Sequence, residues 1–312
     1  MTVQILDESA SGVYIISATP FLDSGEIDFD SIDSLVEFYI GKGVSGITIL
    51  GMMGEAQKMA SEEAVKFVER FMLRVDSRVP VVVGVSDAGL NNLTHLSKIS
   101  MELGAAGVMV APLAGLPTEE KVYNYFCQVF GALGDDIPVC YQDYPQATRT
   151  EISVPLFNRM VAEFDQLVML KHEESPGLTK VSRVRQASLE GLRRVSIMVG
   201  NGGLYLPQEL ARGADGAMTG FAYPEMLVEV VALHKAGEVD RAEDLFDAYL
   251  PLVRHEQQPG FGLALRKEIL FRRGAMSSPR VRAPGPVLNQ TDKDELTRIL
   301  GRVEKKLGEL TR

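Results

Sequence analysis

The chain has 312 residues, 46% of them apolar and 24% charged, a globular composition that excludes a disordered or fibrous protein. Asp and Glu outnumber Lys and Arg by 42 to 32. The resulting net charge of −10 leaves no basic footprint for nucleic acid or an anionic membrane, although a local site can still oppose it to hold a small anion. Eight short runs rich in Val, Ile, Leu, Met and Ala follow one another, each succeeded by a helical pattern. The run at 12–19 leads to a helix at 30–42, with Asp30 as N-cap, Gly43 as stop, and Ile32, Leu35, Val36, Tyr39 and Ile40 on one face. The run at 46–50 leads to a helix at 61–75, striped by Val65, Val68, Met72 and Val75. The runs at 79–85 and 107–112 precede helices at 92–103 and 118–133, closed by Gly104 and Gly134. Then come 137–142 with a helix at 153–163 (Pro155 in its first turn), and 167–171 with a helix at 178–187. Last are 196–200 with 205–212, and 216–220 with 224–236. Beyond 240 no strand pattern remains. Helices are predicted at 240–255, 262–273 and 292–307, with Pro251 expected to bend or break the first and 277–286 read as a connecting loop.

Near-continuous apolar strands alternating with amphipathic helices predict an α/β chain, a (β/α)8 TIM barrel over 12–237 with a C-terminal helical extension over 238–312. A doubly wound open sheet would want a Gly-rich turn after the first strand, and Ala18-Thr19-Pro20-Phe21 is not one. Cys127 and Cys140 are too few for a disulfide framework or a four-cysteine zinc site, and both read as buried thiols of a reducing cytoplasm. Residues 1–11 lack the apolar run of a secretory signal, and no stretch approaches the roughly 18 apolar residues of a membrane span. The four histidines, at 95, 172, 234 and 255, have no ligand spacing, so neither a metal site nor a cofactor is expected.

In such a barrel the chemistry lies at the carboxyl ends of the strands. Lys171 is the only lysine at any of these ends. Burial penalises an ammonium and favours the neutral amine, the form that attacks a ketone to make a Schiff base. The competing reading is a lysine with a buried stem whose head reaches water or pairs with Glu173. Gly51-Met52-Met53-Gly54-Glu55 can turn backbone N–H groups toward a substrate carboxylate, or be only a tight turn whose Glu55 favours a helix start. Asn201 and Gly202, in Gly200-Asn201-Gly202-Gly203, could cradle a phosphate, but no Lys or Arg lies beside them, and a turn of close backbone approach is the preferred reading. Along Tyr141-Gln142-Asp143, Gln142 must face opposite to its neighbours, so one set faces the interior and the other packs under helices. His172 points away from Lys171 and reads as a packed or surface residue. Glu173 can share the direction of Lys171, as a base or as the partner of a cation.

Taken together these residues resemble the dihydrodipicolinate synthase / N-acetylneuraminate lyase family of class I aldolases. The resemblance spans nearly the whole chain: Gly12-Val13 through Thr19-Pro20-Phe21, Gly51-x-x-Gly54-Glu55, Lys171, Gly213-Ala214-Asp215-Gly216 and the helical C-terminus. It implies Lys171 as the Schiff-base lysine, pyruvate or a longer 2-oxo acid as substrate, and a homotetramer built as a dimer of dimers. Three departures stand out. Met52 and Met53 replace a hydroxyl pair, leaving only backbone N–H groups for the carboxylate. The family tyrosine three residues before a proline is Gln142 here; Tyr141 is one position off and faces the other way unless the strand bulges. The turn after the fourth strand, Pro112-Leu113-Ala114-Gly115, lacks the tyrosine that the synthase borrows across its dimer. These departures argue against dihydrodipicolinate synthase and ordinary neuraminate lyase. Gln142-Asp143-x-Pro145, Lys171-x-Glu173, and Leu250-Pro251-Leu252 with His255-Glu256 resemble instead the 2-keto-3-deoxy sugar acid dehydratases, such as those acting on L-2-keto-3-deoxyarabonate. The expectation is a lyase with Lys171 as nucleophile and Gln142, Tyr141, Asp143 and Glu173 as candidate orienting or proton-moving groups. Gly51, Met52, Met53, Gly54, Asn201, Gly202 and Met218 are the candidate substrate-binding positions. It would cleave a 2-oxo acid to release pyruvate or dehydrate a 2-keto-3-deoxy acid. Pyruvate condensation, or a non-catalytic binding homologue, is the alternative.

Overall fold

Eight parallel strands pair in chain order and close into a barrel in this computed structural model, which describes residues 4–310. The first three residues of the 1–11 stretch, and the last two of the chain, lie outside the described residues. The strands are β1 (Gly12–Ile16), β2 (Gly46–Ile49), β3 (Val81–Gly84), β4 (Gly107–Val110), β5 (Val139–Asp143), β6 (Leu167–His172), β7 (Ser196–Val199) and β8 (Gly216–Ala217). The outer helices are α1 (Phe29–Gly41), α2 (Ser61–Val75), α3 (Leu90–Glu102), α4 (Glu119–Leu133), the one-turn α5 (Pro145–Thr148), α6 (Val154–Glu163), α7 (Leu178–Leu189), α8 (Leu206–Ala211) and α9 (Pro224–Lys235). Then follow α10 (Val239–Glu256), α11 (Gly262–Arg272) and α12 (Gln290–Leu310).

The two-residue period of each strand splits the core into two layers. Side chains facing outward join the apolar stripes of the helices in one continuous layer. Those facing inward, among them Tyr14, Ile16, Met109, Cys140, Met169, Met198 and Met218, fill the barrel itself. Burial pushes the Cys140 thiol up to about 12, so it is inert packing. Cys127, expected to be buried, is only partly so on α4.

Local chemistry explains the shifted boundaries. The cap of α1 is Asp28 rather than Asp30: its Oδ1 accepts the Ser31 N–H at 3.0 Å, and its Oδ2 accepts the Ser277 hydroxyl at 2.5 Å. On α2 the buried stripe is carried by Phe67 and Phe71 beside Val68, Met72 and Val75, while Val65 is only half-buried. Helix α10 neither breaks nor ends at Pro251 but continues to Glu256. That continuity matters, because it delivers Glu256 to the mouth of the barrel.

Closure depends on the shortest strand. Gly216 of β8 pairs with Gly12 of β1, at φ 158°, and an added Cβ would overlap the Gly12 backbone. Backbone on the far side of a ladder cannot yield as a side chain can. Gly216→Ala is therefore expected to cost about 2–4 kcal/mol, read as a lowered midpoint in urea unfolding. An unchanged midpoint would show that the seam tolerates a side chain.

Candidate active site

The carboxyl ends of the strands open into a cavity of about 480 Å³. β6 delivers Lys171 to its floor. β5 pairs with β6 so that Gln142 lies beside Lys171 and Asp143 beside His172. The pleat therefore turns Gln142, Lys171 and Glu173 inward together. Lys171 Nζ lies 2.8 Å from Glu173 Oε2, and Gln142 Nε2 donates to that same oxygen at 2.7 Å. All three side chains are buried and line the cavity. The Glu173 main chain is fixed as well: its N–H donates to Asp143 O at 2.8 Å, and Asn201 Nδ2 donates to its carbonyl at 2.9 Å. Gly200 must lack a side chain here, since a Cβ would occupy the space of the Glu173 carboxylate.

The same alternation removes two candidates. Tyr141 is fully buried on the outer side of β5, between Phe126 and Phe157, and makes no hydrogen bond through its hydroxyl. A bulge does shift the β5 register, but at Val139/Cys140, before Tyr141, and it does not turn the ring inward. Asp143 also faces outward, paired with Lys180 at 2.8 Å, with His172 Nδ1 3.6 Å away. His172 is packed as expected, its Nε2 3.1 Å from Gly177 O.

Among the candidate binding positions, Met52, Met53, Asn201 and Gly202 line the cavity, whereas Gly51, Gly54 and Met218 do not. Met52 and Met53 open a 3-10 turn, Met52–Gly54, whose first N–H groups have no partner within the turn. The Gly54 carbonyl anchors it by accepting the Thr19 hydroxyl at 2.6 Å. Met218 is corrected outright. Its N–H is committed to Val199 O at 2.9 Å, and its side chain is buried in the inner layer. The Gly202 N–H is likewise spent on the Thr219 hydroxyl at 2.7 Å, which removes the phosphate cradle.

Two cavity groups lie beyond the strand-end reading because they come from the C-terminal helices. Arg266 of α11 and Glu256 of α10 form a buried pair at 2.7 Å and both line the cavity. Burial raises the Glu256 carboxyl, and the Arg266 charge opposes that shift. Tyr144 also lines it; burial and the Glu173 charge raise its phenol, keeping it a neutral donor. Glu55 stands directly before a 3-10 turn, Ala56–Lys58, as expected, but its side chain makes no cap hydrogen bond there. It sits in the left-handed region at φ 57°, fully buried, with Lys267 at 2.5 Å, Lys58 at 2.9 Å and the Arg282 N–H at 2.9 Å. Burial lowers Lys267 to about 8 despite the Glu55 carboxylate. Through these contacts the 277–286 loop is pinned over the cavity, and Val281, Pro284, Gly285 and Pro286 form part of its wall. A wider cleft, about 670 Å³, lies at the opposite end of the barrel by Gly12, Ser45 and Asp215, away from the strand-end residues.

Glu209 on α8 is buried and pushed up to about 8, first by desolvation and then by the Glu173 charge. Its folded value lies above its unfolded value near 4.5. Between the two, the unfolded chain releases a proton that the folded chain keeps, so this group's contribution is present below pH 4.5 and is lost as pH rises toward 8. Glu209→Gln removes that loss. Its stability relative to the unsubstituted protein should rise by about 1.4 kcal/mol per pH unit across this window in denaturant titrations. A pH-independent difference would place a compensating cation beside Glu209.

The sequence matches the dihydrodipicolinate synthetase family over residues 9–303. The crystal structure of dihydrodipicolinate synthase from Rhodopseudomonas palustris is similar at 46% identity and a TM-score of 0.94, covering 96% of this chain and 99% of that one. L-2-keto-3-deoxyarabonate dehydratase from Azospirillum brasilense is 30% identical over 301 residues, 94% of each chain. 4-Hydroxy-tetrahydrodipicolinate synthase from Methanothrix thermoacetophila is 29% identical, covering 96% of this chain and 99% of its own length. Among the described residues no helix is long and apolar enough to cross a membrane.

Proposed function

The chain belongs to the dihydrodipicolinate synthetase family of Schiff-base lyases, and from that premise we propose that it dehydrates a 2-keto-3-deoxy sugar acid through an imine on Lys171. One observation carries this reading: Lys171 Nζ and Gln142 Nε2 converge on a single oxygen of the buried Glu173, and all three side chains line one cavity. A lysine, a carboxylate and an amide that orients the carboxylate are the groups that imine formation and proton removal at C3 require.

Lys171 Nζ adds to C2 of the 2-oxo acid, and water leaves to give the iminium. The Met52 and Met53 N–H groups hold the carboxylate, with Asn201 steadying Glu173 from the β7 side. The iminium draws electrons from C3, and Glu173, fixed by Gln142, takes the C3 proton. The electron pair then expels the C4 hydroxide, which departs as water on receiving that proton. Tautomerisation and hydrolysis of the imine release the product and the free lysine. For a five-carbon substrate the balance is 2-keto-3-deoxyarabonate giving 2,5-dioxopentanoate and water.

Azospirillum's dehydratase supports this choice of substrate class, and so does the make-up of the cavity. Retro-aldol cleavage of C3–C4, releasing pyruvate, uses the same iminium and is the neighbouring reaction. Pyruvate condensation is the second reading, favoured by the likeness to the Rhodopseudomonas synthase. It is disfavoured because Met52 and Met53 replace the hydroxyl pair and the turn after β4 carries no tyrosine. A non-catalytic 2-oxo-acid-binding homologue would keep the lysine without turnover. On the preferred reading the protein takes a small 2-oxo acid without a cofactor, assembles as a homotetramer and works in the cytoplasm.

Incubation with pyruvate and sodium borohydride, followed by intact-mass analysis, tests the imine. A single reduced pyruvate adduct is expected on the unsubstituted protein and none on Lys171→Ala. An adduct that persists in Lys171→Ala, or no adduct with pyruvate or a longer 2-oxo acid, contradicts the assignment.

A further inference from the structure

Among the described residues Arg266 is the one guanidinium that lines the cavity, and the proposed chemistry leaves it unused. Its side chain is about nine-tenths buried. Nε donates to Glu256 Oε2 at 2.7 Å, and Nη1 lies 3.1 Å from Met53 Sδ. Among the described residues none accepts a hydrogen bond from Nη2. A thioether is a poor acceptor, so most of the donor fork has no strong protein acceptor where it faces the cavity. Donors that face a cavity without a protein acceptor are where a ligand oxygen belongs. Gln257 lies beside it, its amide packed on Gly202 in the space a side chain would fill. Tyr144 lines the same wall, within electrostatic reach of both Arg266 and Glu173.

Charge then narrows the ligand. Around the cavity Lys58, Lys171, Arg266 and Lys267 face Glu55, Glu173 and Glu256, one cation in excess. One substrate carboxylate neutralises that excess. A second would leave an uncompensated anion in a desolvated site, which burial penalises heavily. Arg266, its charge already answered by Glu256, therefore offers hydrogen bonds rather than net charge.

We propose that Arg266, held by Glu256 and flanked by Gln257, is a specificity-determining subsite that binds the hydroxyl-bearing far end of a monocarboxylic 2-oxo acid. This rests on the reading of the cavity as a 2-oxo-acid site and adds which acids it admits. The C-terminal helices, rather than the barrel loops, set the choice.

L-Arabonate carries a carboxylate and hydroxyls but no ketone, so its binding by isothermal titration reports the subsite without imine chemistry. Glutarate serves as the dicarboxylate probe. The unsubstituted protein should bind L-arabonate at least tenfold more tightly than glutarate. The double variant Arg266→Met/Glu256→Gln, which removes both charges together, should bind L-arabonate at least tenfold more weakly. If that variant does not fold, Arg266→Lys carries the test, with threefold to tenfold weaker binding expected. Equal L-arabonate binding by variant and unsubstituted protein, no L-arabonate binding at all, or a preference for glutarate overturns the proposal. Failure of the imine reading is seen separately, as absence of a borohydride-trapped adduct with both pyruvate and a longer 2-oxo acid on the unsubstituted protein.

Discussion

The 2.8 Å contact between Lys171 Nζ and Glu173 Oε2 exists because β6 carries Lys171 inward and the chain just past its end, still bonded to β5 through the Glu173 N–H, keeps the same two-residue period. His172 between them is turned outward, and in-register pairing with β5 brings Gln142 to the same carboxylate. A slip of one residue in this pairing would exchange Gln142 for Tyr141 or Asp143 and leave the carboxylate without its amide. The site is thus a consequence of sheet register. The Met and Cys layer beneath it supplies a dry floor on which an ammonium must be paired.

Around that floor the structure repeatedly buries ions in pairs: Arg266 with Glu256, Lys267 and Lys58 with Glu55, Lys180 with Asp143. Such pairs contribute little net stability against apolar replacements, but losing one partner is costly. Glu55 illustrates their use. It links the Met52–Gly54 turn to the 277–286 loop and to α11, so the carboxylate-binding turn and the C-terminal wall are positioned by one side chain. Helix α10 performs a similar service by continuing through Pro251 to place Glu256 under Arg266.

Much of this was legible in the sequence. The eight alternating units, Lys171 at a strand end, and the shared direction of Lys171 and Glu173 follow from periodicity alone. The opposition of Gln142 to Tyr141 and Asp143 was also legible, although which set faced inward was not, since a bulge could have reversed it. Met218, within the run read as the eighth strand, has its N–H bound to Val199 O and so has none to offer a substrate. Glu256 was legible only within the His255-Glu256 resemblance, and Arg266 left no local signal: its place in the cavity depends on packing against Met53, more than 200 residues away, which no strand-end rule reaches. Glu55 was visible as a charged residue in a glycine-flanked turn, but its partners were not.

The most direct measurement is product analysis by NMR after incubation with 2-keto-3-deoxy-L-arabonate, comparing the unsubstituted protein with Glu173→Gln. Lysine imine chemistry with Glu173 as base predicts 2,5-dioxopentanoate as the dominant product, with its formation slowed at least a hundredfold in Glu173→Gln. Pyruvate and glycolaldehyde as the dominant products, or turnover unaffected by the substitution, would contradict it.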